Sequence, residues 1–182
     1  MKGLVLFHGA GANKDQETLV AIEQTLEIPV KRCNFPYRDK KPVGPSGPNS
    51  MKVLVETVVA KVTDLADELG AKTSEIAVGG RSLGGRAASV AHVQGLDAAG
   101  LVLLSYPLHP PGKPDKLRTD HFGDITCPVL VVQGEKDPFG KPDEIKREFA
   151  IINNCKFEFV PGNHGPKDHA EVAEAVRVWL EQ

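Results

Sequence analysis

The chain has 182 residues, 41% hydrophobic and 25% charged, which is typical of one globular domain, residues 1–182, with a sizeable core. Its formal charge of -2 argues against a nucleic-acid partner. The first apolar run, residues 4–7, is too short for a signal peptide, and no run approaches the roughly 20 apolar residues that span a bilayer. We therefore expect no membrane association and a cytoplasmic location.

Six short apolar runs predict strands, and helical patterns separate them. Strands that alternate with helices predict a mainly parallel sheet and an α/β fold. The run at 101–104 suits a central strand buried on both faces, whereas alternation over residues 157–159 suits an edge strand. The predicted strands are residues 4–7, 29–35, 76–78, 101–104, 129–132 and 157–160.

Three stretches carry apolar residues at helical spacing. The helical positions are Leu19, Ile22 and Leu26, then Val55, Val58, Val59, Val62, Leu65 and Leu69, and finally Val172, Val176, Trp179 and Leu180.

If the strand order begins 2-1-3, as in flavodoxin-like sheets, the loops after the first and third strands face each other across one crevice.

Two proline-rich stretches, residues 36–50 and 106–124, interrupt this pattern. We expect no regular element in the first, and the second is too short for a lid domain. Right-handed crossovers would place both at the carboxyl edge of the sheet, where open α/β folds bind ligands. They either frame a site or are long connections.

The segment Gly80-Arg81-Ser82-Leu83-Gly84 lies between a predicted strand and an alanine-rich helical stretch. This is the nucleophile-elbow pattern, in which flanking glycines permit a strained turn that presents the serine hydroxyl. Serine reacts only beside a base and beside donors for the developing oxyanion. By itself, the pentapeptide is also compatible with an ordinary small-residue bend.

The first predicted strand ends in a small-residue turn, residues 8–14, in which we expect Asn13 and Gln16 to cap the next helix. A lysine replaces the third glycine of a dinucleotide fingerprint, and no Walker motif occurs. Two alternatives remain. The turn is an oxyanion loop that pairs the backbone N–H groups of Ala10 and Leu83, or it is a capped turn without a ligand.

The fifth and sixth predicted strands are followed by a carboxylate and an imidazole, in the chain order serine, acid, histidine. We assign Asp137 to orient the imidazole and His164 to take the proton of Ser82. The position of Asp137 after the fifth predicted strand fits the acid of a serine–acid–histidine triad better than the position of Glu135 does. Taken singly, Asp137 also suits a turn, and His164 suits an ordinary loop histidine.

The other histidines and Cys33 are weaker candidates. His92 lies in the helix after the elbow, His109 and His121 lie in the second proline-rich stretch, and His8 is expected to serve structure. Cys33 is not part of an elbow motif that would present it as a nucleophile, and it suits an ordinary strand residue. With three cysteines and no C-x-x-C pair, we expect neither a disulfide framework nor a zinc site, and Cys33, Cys127 and Cys155 should be reduced packing residues.

These motifs together resemble the α/β-hydrolase superfamily, specifically small dienelactone-hydrolase-like members of the KANL/Tex-like branch. The resemblance covers nearly the whole chain and implies the α/β-hydrolase fold, a minimal doubly wound sheet of about six parallel strands without a cap domain. The first two strands of the full fold would be missing. It rests on residues 8–12, 80–85, 105–114, 133–140 and 162–164.

The resemblance implies a triad of Ser82, Asp137 and His164, with Ala10 and Leu83 at an oxyanion hole. We expect a serine hydrolase that cleaves an ester-like acyl bond of a small molecule through an acyl-enzyme, without a metal or organic cofactor. The exposed sheet edge is a candidate homodimer surface. The alternatives are a scaffold module with little turnover and a flavodoxin-like flavin or nucleotide binder, whose phosphate loop is not found.

The pocket of such a protein should be shallow and framed by residues 36–50 and 106–124, which favours small or exposed acyl substrates. Several basic residues near these segments are compatible with an acidic group on the substrate. Exposed surface charge explains most of them better. They are Arg38, Lys40, Lys41 and Arg81.

Overall fold

The computed structural model describes residues 1–42 and 47–182. An α-helix follows each described strand except the fourth, after which the chain forms only a 3₁₀ turn. The strands are β1 (Gly3–Phe7), β2 (Val30–Cys33), β3 (Ile76–Arg81), β4 (Gly100–Leu104), β5 (Val129–Gly134) and β6 (Cys155–Val160). The α-helices are α1 (Glu17–Thr25), α2 (Pro36–Lys40), α3 (Met51–Glu68), α4 (Leu83–Val93), α5 (Pro142–Phe149) and α6 (His169–Leu180), and single 3₁₀ turns span Thr73–Glu75 and Phe122–Asp124.

The strands form one sheet in the order β2-β1-β3-β4-β5-β6, and every neighbouring pair is parallel. This confirms the predicted α/β fold and the 2-1-3 start. The loops after β1, β3, β5 and β6 all leave the carboxyl edge because the strands share one direction. The order reverses between β1 and β3, where open α/β sheets form their ligand crevice.

Both faces of the sheet are buried, as β1 illustrates. Val5 and Phe7 join the core beneath α3 and α4, whereas Leu4 and Leu6 join the core beneath α1 and α6. Successive side chains of a strand point to opposite faces, so a strand covered on both sides must be apolar throughout. Each such buried aliphatic side chain contributes about 1.5–3 kcal/mol relative to an exposed one.

The two edge strands are less apolar. In β6, half-buried and exposed residues alternate over Cys155–Val160, which confirms the predicted edge strand. At the other edge, β2 carries Lys31 and Arg32, and their charged groups form ion pairs with carboxylates of neighbouring elements. Charged side chains on an edge oppose indiscriminate strand pairing.

The expectation that residues 36–50 contain no regular element is wrong at their start, where α2 forms. Pro36 occupies the first helical turn, where its missing N–H costs no hydrogen bond. Tyr37 and Arg38 are buried, so this stretch is part of the core and not only a surface excursion. Residues 43–46 lie outside the described residues.

The helical faces agree with prediction except at Val59 of α3, which is 37% exposed. Val58 and Val62 are fully buried, and a helix turns by roughly 100° per residue, so Val59 points past the core. Among the helices that the structure describes, none combines the length and apolarity needed to traverse a bilayer.

The three cysteines are free thiols, as expected. Cys33 and Cys127 belong to the core, and Cys155 is half-buried against it. Burial raises the pKa of Cys33 and Cys127 to about 11 and that of Cys155 to about 12. Thiols with such pKa values stay protonated at neutral pH and are weak nucleophiles.

Candidate active site

Ser82 lies at the sharp turn between β3 and α4, with φ 51° and ψ -108°. A positive φ is rare for a residue with a Cβ and costs about 1–3 kcal/mol, so surrounding contacts must enforce it. A Cβ atom on Gly80 or Gly84 would overlap the backbone of Phe7 in β1. The two glycines therefore let the elbow pack directly against β1.

The side chains of Ser82, His164 and Asp137 form one hydrogen-bonded line. His164 Nε2 lies 3.0 Å from Ser82 Oγ, and His164 Nδ1 lies 2.8 Å from Asp137 Oδ2. An ionised carboxylate only accepts hydrogen bonds, so the imidazole proton is assigned to Nδ1 and Nε2 is left to accept from the serine hydroxyl. Three residues far apart in sequence thus meet at the carboxyl edge.

Asp137 is fully buried, and donors surround its carboxylate. Gln133 Nε2 donates to Oδ2 at 2.9 Å, and the backbone N–H of Phe139 donates to Oδ1 at 2.8 Å. Gln133 also accepts from the N–H of Tyr106 at 2.7 Å. A buried polar group needs such partners, and the side-chain amide of Gln133 also links Asp137 to the loop after β4.

His164 is held from two sides. The ring of Phe139 stacks on the imidazole with centroids 4.1 Å apart. Arg81 Nη2 donates to the carbonyl oxygen of His164 at 2.6 Å, which ties the histidine loop to the end of β3. The imidazole keeps partial solvent access, with 23% of its side chain exposed, as a group that exchanges protons requires.

Ala10 lies in the turn after β1, and Leu83 is the first residue of α4. Both line the same cavity as Ser82. Within residues 1–42 and 47–182, neither backbone N–H donates a hydrogen bond to another group. Unpaired backbone N–H groups are the kind of donor that can receive an oxyanion.

Buried side chains of α2 fix this turn. The carbonyl oxygen of Ala10 accepts from Tyr37 Oη at 3.0 Å and from Arg38 Nη2 at 3.1 Å. Surface charge was expected for most of the four basic residues; Lys40 and Lys41 are exposed, whereas Arg38 is only 2% exposed and serves this turn instead. Helix α2 therefore fixes the orientation of the peptide group between Ala10 and Gly11.

The predicted helix caps are wrong. Gln16 occupies the cap position of α1, but its Oε1 accepts from the N–H of Gly9 at 3.2 Å and makes no cap bond. Asn13 Oδ1 accepts from the N–H of Asp15 instead. Both side-chain amides therefore accept from backbone N–H groups within the β1–α1 turn.

The buried histidine of this turn has a structural place, as expected. His8 Nε2 accepts from the N–H of Phe35 at 3.2 Å, and its Nδ1 lies 2.8 Å from the carbonyl oxygen of Gly9. Burial lowers the pKa of His8, because the charged imidazole loses hydration. The neutral ring links β1 to the segment that enters α2.

The weaker candidates lie elsewhere. Glu135 is exposed, and Cys33 lies in β2 with a raised pKa. His121 Nε2 lies 2.8 Å from Ser89 Oγ, but that serine is fully buried in α4. His92 and His109 bond to backbone carbonyl oxygens. None of these groups contacts Ser82.

A cavity of about 710 Å³ opens above Ser82, within the size range of small-molecule sites. Pro48 of the first proline-rich stretch and Pro107 and Arg118 of the second contribute to its wall. Both stretches therefore frame the site. Among the described residues, no cluster of histidine, cysteine and acidic side chains could hold a metal ion.

Several residues that contribute to the site were not predicted from the sequence. The polar residue Gln133 within an otherwise apolar strand was a readable signal, since a polar group on a doubly covered strand needs a buried partner. Arg86 follows the serine by four residues, so helical spacing could have predicted that its side chain lies on the same side of the helix as Ser82. Phe139 and Arg118 lie in irregular segments without a periodic pattern, and Tyr37 lies in a helix of five residues, which is too short to show one.

Three solved structures illustrate the similarity of the fold. Est1E from Butyrivibrio proteoclasticus with ferulic acid bound superposes with a TM-score of 0.77 at 23% identity, covering 100% of this chain and 88% of that chain. A thermophilic esterase from Thermogutta terrifontis, malate bound, gives 0.77 at 20%, covering 100% and 90%. A monoacylglycerol lipase from Paleococcus ferrophilus gives 0.73 at 16%, covering 98% and 93%.

The sequence itself matches a protein family. A family model described as an alpha/beta hydrolase domain matches residues 1–174, almost the entire chain. The strand order, the elbow and the meeting of three loops at one sheet edge agree with that match. The chain belongs to the alpha/beta hydrolase family.

Proposed function

We propose that this alpha/beta hydrolase is a serine hydrolase that cleaves ester-like acyl bonds, with Ser82 as nucleophile, His164 as base and Asp137 as its orienting carboxylate. One observation carries the proposal: the hydrogen-bonded line from Ser82 Oγ through His164 to Asp137, with separations of 3.0 and 2.8 Å. Nucleophile and base within hydrogen-bond reach, and a third group behind the base, are the requirements for covalent catalysis.

Acylation begins when His164 Nε2 takes the Ser82 proton as Oγ attacks the substrate carbonyl. The carbonyl oxygen becomes an oxyanion, which the N–H groups of Ala10 and Leu83 stabilise. The imidazolium is stabilised by the ionised carboxylate of Asp137. When the C–O bond to the leaving group breaks, His164 returns the proton to the departing alcohol, and an acyl-serine ester remains.

Deacylation repeats these steps with water. His164 takes a proton from the water, the resulting hydroxide adds to the acyl carbonyl, and the same two N–H groups receive the oxyanion. The tetrahedral intermediate then releases Ser82 Oγ, which recovers its proton from His164. The products are a carboxylic acid and the free enzyme, and no further cofactor enters the balance.

Two similar structures support an ester substrate. Est1E and the Thermogutta esterase are described with carboxylic acids bound, ferulic acid and malate, the class of product that the cycle releases. The finer resemblance to dienelactone-hydrolase-like members of the KANL/Tex-like branch remains a prediction. So does the homodimer through the β2 edge, where Lys31 and Arg32 already form ion pairs with carboxylates of neighbouring elements.

A fluorophosphonate probe tests the nucleophile, because it forms an Oγ–P bond with an activated serine and releases fluoride. We expect labelling of the wild-type protein and none of Ser82→Ala. Ser89→Ala is the matched control, since Ser89 also lies 2.8 Å from a histidine nitrogen but is fully buried. It should keep the label.

Hydrolysis of p-nitrophenyl esters from acetate to dodecanoate then measures the acyl length that the cavity accepts. Folded wild-type protein that neither labels nor hydrolyses any ester would contradict the proposal and favour a scaffold module without turnover.

A further inference from the structure

Three arginines line the cavity that contains Ser82. Arg81 ends β3, Arg86 lies in the first turn of α4, and Arg118 belongs to the loop after β4. Within residues 1–42 and 47–182, no carboxylate lies within 4.0 Å of any of them. Residues 43–46 contain no acid. Arg81 still interacts electrostatically with Asp137 from beyond that distance, whereas Arg86 and Arg118 have no close carboxylate among the described residues.

The side-chain donors of these arginines are mostly unused. Arg81 is committed to the His164 carbonyl through Nη2, and Arg118 Nη1 makes one long bond of 3.3 Å to the Pro107 carbonyl. The guanidinium of Arg86 has no acceptor among the described residues, and its Nε is buried. Buried polar atoms are nearly always paired, so an unpaired arginine at a cavity wall indicates a missing acceptor.

Arg86 and Arg118 also lie close enough to repel each other. Burial lowers the pKa of Arg118 first, and the neighbouring charge of Arg86 lowers it further. Burial and then Arg86 likewise lower the pKa of His121. Placing like charges together at a partly buried position is unfavourable unless an anion joins them, and such arrangements concentrate at functional sites.

We propose that Arg86 and Arg118 bind a carboxylate of the substrate, so that the enzyme acts on esters carrying a second, ionised carboxyl group. This proposal rests on the proposed function at Ser82. Arginine presents a planar fork of donors that matches a carboxylate. The apolar wall that Pro48, Pro107 and Phe139 provide suits a short hydrocarbon segment between the two ends of such a substrate.

The kinetic test compares monomethyl glutarate with methyl pentanoate in a pH-stat, since the two esters differ only in a terminal carboxylate or methyl group. We expect wild-type kcat/KM to favour monomethyl glutarate by about tenfold or more. Arg86→Gln and Arg118→Gln should each reduce this ratio by about tenfold, more at low salt than at high salt. Lys116→Gln removes one exposed charge from the same loop and should keep the ratio.

A binding test separates this proposal from the chemistry at Ser82. Calorimetry should detect glutarate binding to Ser82→Ala, and the additional change Arg86→Gln or Arg118→Gln should abolish it. If wild-type protein hydrolyses neither ester, the proposed function fails, and glutarate binding still decides the subsite. A ratio near one in wild type, a ratio unchanged in both arginine variants, or glutarate binding that ignores both substitutions would overturn the proposal.

Discussion

The side-chain amide of Gln133 donates to the carboxylate of Asp137 at 2.9 Å, with both residues fully buried. The same amide group donates to the carbonyl oxygen of Gly140 and exchanges bonds with the backbone of Tyr106. One side chain of β5 thus connects the acid of the candidate triad to two loops.

Replacing Gln133 with leucine should impair both stability and turnover. The Tyr106 N–H is left without a partner, which costs about 1–3 kcal/mol, and Asp137 Oδ2 loses one of its two donors but keeps His164 Nδ1. Urea unfolding measures the first effect, and ester hydrolysis measures the second. Gln133→Glu, which keeps the shape but places a second carboxylate beside Asp137, should be at least as damaging. Unchanged stability in both variants would contradict the linking role.

Asp137→Asn should preserve the fold and reduce kcat by about 10⁴-fold, because an asparagine can hold His164 in the wrong tautomer. The measurement is p-nitrophenyl ester hydrolysis beside a thermal unfolding curve. Glu135→Gln removes an exposed carboxylate two residues away and should retain activity. An active Asp137→Asn variant would show that the carboxylate does not orient the base.

Much of the candidate site could be predicted because it follows the rules of a parallel sheet. Ser82, Asp137 and His164 each follow a strand whose apolar pattern is readable, and parallel strands bring such loops to one edge. The position of Ala10 followed from the same rule applied to β1. Loops at that edge are the predictable part of the molecule.

The rest depends on contacts that sequence patterns do not encode. Tyr37 and Arg38 hold Ala10 across 27 and 28 residues, from a short helix within a proline-rich stretch. The helix was missed because five residues are too few to show a period. Val59 was placed in the core because a valine on one border of an apolar face cannot be distinguished from one inside it.

Tyr37→Phe should slow acylation without changing the fold, because it removes one of two bonds to the Ala10 carbonyl. The lost bond corresponds to about 0.5–1.5 kcal/mol, so we expect a decrease in kcat of about two- to tenfold with little change in KM. Stopped-flow labelling by a fluorophosphonate measures how fast Ser82 Oγ attacks an electrophile. Tyr106→Phe is the matched control, since its hydroxyl bonds to the Arg118 carbonyl outside the turn. Equal effects of the two variants would argue against a specific role for Tyr37.

Acid should destabilise the protein partly through His8. Burial lowers its folded-state pKa below the ordinary value of 6.5, so the unfolded chain binds a proton at a higher pH than the folded protein does. The contribution of His8 is therefore fully present above about pH 6.5 and is lost as pH falls towards the lower folded-state pKa.

Urea unfolding between about pH 7.5 and pH 5 measures this dependence. His8→Leu should be less stable at neutral pH but should lose less stability on acidification than wild type. His121→Gln provides a comparison, because burial lowers the pKa of His121 as well. Identical pH slopes for wild type and His8→Leu would exclude the assignment.

The parallel sheet has a practical consequence for handling the protein. All the contacts described around Ser82 lie at the carboxyl ends of the strands, and the turns before β3 and β4 lie at the opposite end. These two turns contain Gly70 and Gly95, which have positive φ angles and no other atoms within 4 Å of the position that a Cβ would take. A fluorophore, an affinity tag or a surface tether attached at those turns leaves the cavity mouth facing solution. The protein can therefore be attached to a surface through the amino-terminal side of the sheet while the cavity at the carboxyl edge stays open to substrate.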